Sequence, residues 1–170
     1  MLGCKDYTRE ELDHGKAVIH EQIARNKNLA DAVARLATDK TLCSALEDFE
    51  GVFNNNLALV LDHLYVHKLR KVMGKDSNPL NEVELIRDSL TNNYGIMRGN
   101  NGIRFVPSQS VAKIKIGEKI HLTTGEFKRL AAGFFVELEH RFLIYGPHSH
   151  REQSGGDPLS RAADYSQGGK

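Results

Sequence analysis

Tryptophan is absent from this chain, cysteine and proline are scarce, and neither sign of charge dominates. The two cysteines, Cys4 and Cys43, are too few for a disulfide framework or a zinc knuckle, so we expect reduced thiols in the cytoplasm. The formal net charge of +1 provides no global field, so nucleic acid binding is disfavoured, although a local patch would still permit it. No window approaches 18 consecutive apolar residues, which predicts no membrane-spanning helix.

What remains is an ordinary globular composition. Hydrophobic residues make up 40% and charged residues 26% of the 170 residues. We therefore predict one globular domain over 1–146. The segment 147–170 is rich in glycine, serine and charge, which predicts a disordered tail.

Apolar residues recur at helical spacing over four stretches, predicted as helices at about 8–37, 44–73, 79–92 and 124–145. Capping boxes are predicted to begin the first, second and fourth of these, at Thr8, Ser44 and Thr123, each with a glutamate three residues later. Asn78 followed by Pro79 predicts the start of the third helix. The short turn at 38–43 favours an antiparallel pairing of the first two helices.

The segment at about 96–123 changes to an alternating pattern, which predicts a small antiparallel sheet of two hairpins. A three-residue loop, Asn100–Gly102, is preferred to a two-residue loop because it pairs Met97 with Phe105. The second hairpin turns at Gly117–Lys119. Helices followed by strands predict an α+β fold. The predicted core is Phe53, Leu57, Leu64, Ile86, Ile114, Ile116, Phe134 and Leu138.

The predicted central helix carries a polar stripe of Asn56, His63, His67 and Arg70, which is the first candidate ligand site. His63 and His67 have the i,i+4 spacing that can hold a metal, although eight histidines make such a pair common by chance. The run Asn54–Asn56 predicts that at least one of these amides is held by a partner; a kink, or a break that makes Asn54 a helix cap, is the alternative.

The junction after this helix completes the candidate site with Asp76, Asn78 and Asn81. We predict that Asp76 or Glu82 makes a charge-assisted contact with His67, Arg70 or a residue of the first helix. Arg98 and Arg104 lie cross-strand in the preferred register, which makes them a candidate anion site.

No Walker loop, nucleophile elbow or dinucleotide fingerprint is present, and no cofactor is indicated. The sequence therefore favours a non-enzymatic binding or interaction module, a homo-oligomer or a binder of a protein partner, with a dimer surface on its long helices. The alternative is an enzyme. It would be either a metal-dependent hydrolase at His63 and His67, or a ribonuclease of the HEPN class, whose arginine-to-histidine spacing recurs at Arg9…His14 and Arg141…His148.

The stretch from Phe53-Asn54-Asn55-Asn56 through Asp62, His67 and Arg70 to Gly74-Lys75-Asp76-Ser77-Asn78-Pro79-Leu80-Asn81-Glu82-Val83 resembles a family of small bacterial proteins of unknown activity. The resemblance extends over about 50–146. It implies a compact bacterial domain and no particular chemistry.

Overall fold

The computed structural model describes residues 6–36 and 39–144. Its α-helices are α1 (Arg9–Leu36), α2 (Lys40–Leu61), α3 (His67–Leu69), α4 (Pro79–Asn92) and α5 (Thr124–Phe142). A π-helical turn, Asp62–Val66, joins α2 to α3, and a short 3-10 helix, Pro107–Gln109, lies between α4 and α5. The predicted tail at 147–170 lies outside the described residues.

Three of the four predicted helix starts are confirmed. Thr8 and Thr123 each form a capping box with the glutamate three residues later, and the Asn78 side chain accepts from Asn81 N at 2.9 Å. The start at Ser44 is wrong. The second helix begins one turn earlier at Lys40, because the Asp39 carboxylate accepts from Thr41 N at 2.8 Å and provides the cap.

The predicted central helix is not regular to its end. The His67 amide donates to the carbonyl of Asp62, a wide i→i+5 turn, so the chain passes from α to π geometry over Asp62–Val66. The π turn brings Tyr65 into the core, where its ring packs edge-on against Tyr7 with the centroids 5.1 Å apart. Phe134 and Phe135 of α5 lie 5.8 Å from the same ring. This aromatic cluster joins the start of α1, the π turn and α5.

The α+β prediction is wrong, because no β-strand occurs among the described residues and the fold is helical. The segment 93–123, called the connecting segment below, contains turns near both predicted loops but not the predicted ladders. Met97 exchanges backbone hydrogen bonds of 2.8 Å with Gly117 and Glu118 instead of pairing with Phe105. Only an isolated antiparallel bridge, between Ile96 and Lys119, forms there.

Side chains replace the missing ladders along the connecting segment. The Asn55 amide donates to Ile120 O at 3.0 Å and accepts from Leu122 N at 3.1 Å, as a neighbouring strand would. Asn54 donates to Leu122 O at 3.0 Å. The prediction that the asparagine run is held by a partner is therefore confirmed, and its partner is the connecting segment.

A buried carboxylate fixes the middle of the same segment. Glu82 of α4 accepts from the Ser110 hydroxyl at 2.6 Å and from the amides of Val111 and Ala112 at 2.9 and 3.0 Å. These charge-assisted bonds compensate for the cost of burying the charge. Glu82 thus makes a structural contact, with none of the predicted partners.

The core lies where α4 and α5 pack against α2, while α1 packs against α2 and α5. Of the predicted core, Leu57, Ile86, Ile114, Phe134 and Leu138 are buried, Phe53 and Leu64 are partly buried, and Ile116 is exposed. The prediction that Ile116 is buried was wrong, because no sheet forms whose inner face could cover it. None of the described helices combines the length and apolar character that a membrane crossing requires.

Candidate functional site

The predicted polar stripe continues a row of apolar side chains on the outer face of α2. Leu42, Phe49, Asn56 and His63 follow one another at seven-residue intervals, and all four are exposed. The face is apolar up to Phe53 and polar beyond it. Asn56 lies on this outer face with no hydrogen-bond partner among the described residues, whereas Asn54 and Asn55 point toward the connecting segment.

His63 and His67 form a stacked pair on the same outer face. Their rings lie 5.6 Å apart, and His67 Nδ1 lies 3.3 Å from the carbonyl of Asp62. Zinc sites use three or four protein ligands. Within the described residues no group of three or more His, Cys, Asp or Glu side chains is placed to hold a metal. Metal binding at this pair therefore stays a prediction that needs ligands from elsewhere.

Arg70 belongs to an ionic cluster around Asp62. Its guanidinium donates to both carboxylate oxygens of Asp62 at 3.1 and 3.2 Å, and Arg87 Nε lies 3.6 Å from the same carboxylate. Glu84 lies 3.6 Å from Arg70. Burial raises the pKa of Glu84, although both arginines oppose that shift. The cluster fastens the end of the long helix to α4.

The two predicted anion-binding arginines are not brought together. Arg98 donates to Asp88 at 3.0 and 3.3 Å, and a hydrogen bond from Asn92, together with this contact, lowers the pKa of Asp88. Arg104 lies elsewhere in the connecting segment, where its backbone amide donates to Lys75 O at 2.7 Å. The cross-strand pairing fails because the hairpin on which it depended does not form.

Asn78 and Asn81 hold the junction in shape. Asn78 caps α4, and the Asn81 side chain donates to the carbonyl of Asp76 at 2.8 Å. Both side chains are buried. Gly74 has a positive φ of 79°, the conformation that glycine adopts most readily. These contacts indicate that the two asparagines are structural.

The predicted contact of Asp76 exists, but its partner was predicted wrongly. Asp76 accepts from Arg141 of α5 at 3.0 Å, and Arg141 also donates to the carbonyl of Met73 at 2.8 Å. The guanidinium lowers the pKa of Asp76. His67 and Arg70 do not take part, because the π turn and the Asp62 contact direct them elsewhere.

Two clefts flank the junction and share Lys75. Arg70 and Asn81 line one, of about 320 Å³. Asp76 and Arg104 line the other, of about 590 Å³. Arg70 and Asp76, two residues of the predicted ligand site, thus line different clefts.

The two arginines of the ribonuclease alternative both make contacts with other parts of the chain. Arg9 forms an ion pair with Glu139 at 3.0 Å, and His14 lies exposed on α1. Arg141 is bound at the junction, and His148 lies outside the described residues. The ribonuclease hypothesis therefore stays an untested prediction.

The arm, residues 27–35 of α1 and 40–53 of α2, was not located from the sequence, which predicted a dimer surface on the long helices without naming its residues. None of residues 27–35 and 39–50 is buried. Four of its large apolar side chains are exposed: Leu29 is 48% exposed, Leu42 42%, Phe49 46% and Val52 60%. Phe49 stacks on Phe53 with the centroids 5.9 Å apart. The seven-residue spacing of Leu42 and Phe49, typical of a coiled-coil seam, was the signal that could have revealed this surface.

A second unpredicted feature is a groove of about 660 Å³ between α1 and α5, called the α1/α5 groove below. Its floor is apolar and consists of the buried Ile23, Ala131 and Phe135, with the exposed Ala24, Ala132 and Val136 beside them. Its rim is polar and consists of Lys16, His20, Lys27, Lys128 and Glu139. The sequence offered little signal for it, because the groove depends on how far apart the two helices lie.

Comparison with known proteins yields no matching family model, no matching curated protein and no matching solved structure. The resemblance to a family of small bacterial proteins therefore stays a prediction.

Proposed function

We propose that the protein is a non-enzymatic interaction module that forms a homodimer through its arm. The observation that carries the proposal is the apolar row on the outer face of α2, where Leu42, Phe49 and Val52 are each more than 40% exposed. Contiguous exposed apolar surface favours association, because covering it removes that surface from water. We place the module in the cytoplasm, where the exposed thiol of Cys43 would stay reduced.

The spacing of the row favours a second copy as its partner. An antiparallel contact related by a two-fold axis pairs Leu42 of one copy with Phe49 of the other, and the same pair recurs on the opposite side of the axis. The axis then passes midway between them, beside Ala45 and Leu46. The small side chain of Ala45 allows the two helices to approach closely there.

Four of the polar residues predicted as a ligand site are occupied by contacts within the chain. Arg70 is bound to Asp62, and Asp76 to Arg141. Asn78 and Asn81 serve the junction itself. Their hydrogen-bonding groups are used to hold helices together, which is a structural role.

Sedimentation equilibrium at micromolar concentration tests the proposal with three proteins. The wild type should sediment as a dimer, and Phe49→Glu as a monomer, because the new charge would be buried at the contact. Val136→Glu is the matched control, since Val136 is an exposed apolar residue of α5 outside the arm. It should remain dimeric. A wild-type monomer, or loss of the dimer in Val136→Glu alone, would overturn the proposal.

A further inference from the structure

The two ends of the α1/α5 groove differ in charge. Tyr7, just before α1, pairs with Leu143, just after α5. Arg9 and Lys16 of α1 both contact Glu139 near the end of α5. The start of α1 thus lies beside the end of α5, so the two helices run antiparallel. Lys16 and Glu139 therefore close one end of the groove as an ion pair. Lys27 of α1 and Lys128 of α5 lie toward the other end.

Those two lysines leave their end of the groove cationic. Lys27 pairs only with Asp31, an exposed contact of 3.1 Å within one helix, which is a weak interaction. Lys128 makes no hydrogen bond or ion pair with any described residue. An anion bound at this end would contact two ammonium groups, for which Asp31 is the one competing carboxylate among the described residues.

The floor between the two ends suits a hydrocarbon chain. The groove extends from Lys16 to Lys27 of α1, a rise of roughly 16 Å, and aliphatic and aromatic side chains line its floor. The volume of about 660 Å³ lies within the range of small-molecule sites, about 300–1,000 Å³.

We propose that the α1/α5 groove binds a single-chain anionic amphiphile of the long-chain carboxylate class. Its carboxylate contacts Lys27 and Lys128, and its chain lies along the floor toward Phe135. The ion pair of Lys16 with Glu139 ends the groove and limits the length of chain that is covered. This binding is independent of the proposed dimer contact, which uses the apolar row of α2.

Isothermal titration calorimetry with decanoate and dodecanoate, below their micellar concentrations, tests the site. We expect one molecule per chain, with an affinity that rises about fourfold per added methylene. Dodecanol, which has the same chain without the charge, should bind at least tenfold more weakly. Equal binding of dodecanol and dodecanoate would contradict the role of the lysines.

Variants locate the site. Lys128→Glu should weaken dodecanoate binding at least tenfold, and Ala132→Trp, which fills the groove from an exposed position, should abolish it. Lys68→Glu, at an exposed lysine of α3, is the control and should bind as the wild type does. Circular dichroism melting curves confirm that each variant is folded.

The proposal is overturned if dodecanoate fails to bind the folded wild type. It is also overturned if Ala132→Trp binds dodecanoate as the wild type does, which would place the ligand elsewhere. An acidic amphipathic helical peptide that binds while dodecanoate does not would assign the groove to a protein partner. Phe49→Glu should bind dodecanoate normally, so failure of the dimer and failure of the groove are separate results.

Discussion

Gly15 of α1 lies so close to Tyr65 of the π turn that a β-carbon at position 15 would displace the tyrosine ring. A β-carbon at position 15 would lie 1.6 Å from the phenol oxygen and 2.8 Å from Cζ of the ring. Gly15→Ala would displace a ring that contacts Tyr7 and α5. We expect a loss of about 1–3 kcal/mol in the free energy of unfolding, measured with urea.

Gly133 of α5 is the matched control for that substitution. A β-carbon there would lie 3.5 Å from Pro79 and Val111, an ordinary contact distance. Gly133→Ala should therefore stabilise the protein by up to about 1 kcal/mol through helix propensity. If the two alanine variants were equally stable, the close contact at Gly15 would be refuted.

Asn55→Ala should loosen the connecting segment. It removes the partner of Leu122 N and of Ile120 O, and a half-buried polar group left without a partner costs about 1–3 kcal/mol. Asn56→Ala, one residue further on the exposed face, is the control and should change stability by a few tenths of a kcal/mol. Hydrogen exchange at Leu122 gives a direct reading. Equal exchange in both variants would show that Asn55 does not hold the segment.

The helices could be predicted because their signals are local. Thr8, Asn78 and Thr123 each cap the helix predicted from their position, and the short third helix matches the predicted 79–92. The start of α2 was missed because Asp39 caps without a glutamate three residues later. The π turn was missed because it depends on the packing of Tyr65 in the core.

The sheet and the site could not be predicted because their partners are distant in sequence. The alternation near Ile114 and Ile120 correctly marked buried residues, but side chains such as Asn55 and Glu82 took over the bonds that a sheet would have made. Asp76 was recognised as a charge-assisted contact. Its partner Arg141 lies 65 residues further on, and only the packing of α5 brings them together.

Alkaline pH should destabilise the fold through Tyr7. Burial, with smaller contributions from Tyr65 and Glu11, raises the pKa of Tyr7 to about 12. In the unfolded chain the phenol ionises near its ordinary value of about 10. Between these values the unfolded state releases a proton that the folded state keeps, so the free energy of unfolding falls as pH rises through this window. Below pH 10 the contribution is fully present.

Urea unfolding at pH 8 and pH 11 measures this effect. The drop in stability between the two pH values should be smaller in Tyr7→Phe than in the wild type, because the ionisable group is gone. Tyr94→Phe, at an exposed ring, should show the wild-type drop. An identical drop in all three proteins would contradict the assignment to Tyr7.

Disulfide cross-linking at position 45 tests most directly whether one arm faces another. In a Cys4→Ser, Cys43→Ser background, Ala45→Cys places a thiol beside the proposed two-fold axis, where the two α-carbons can come within the 7 Å that a disulfide requires. Thr41→Cys places it at the outer end of the row, far from its copy. Under mild oxidation at micromolar concentration, the account predicts a covalent dimer of the Ala45→Cys protein and a monomer of the Thr41→Cys protein. A monomer in both, or equal cross-linking at both positions, would contradict it.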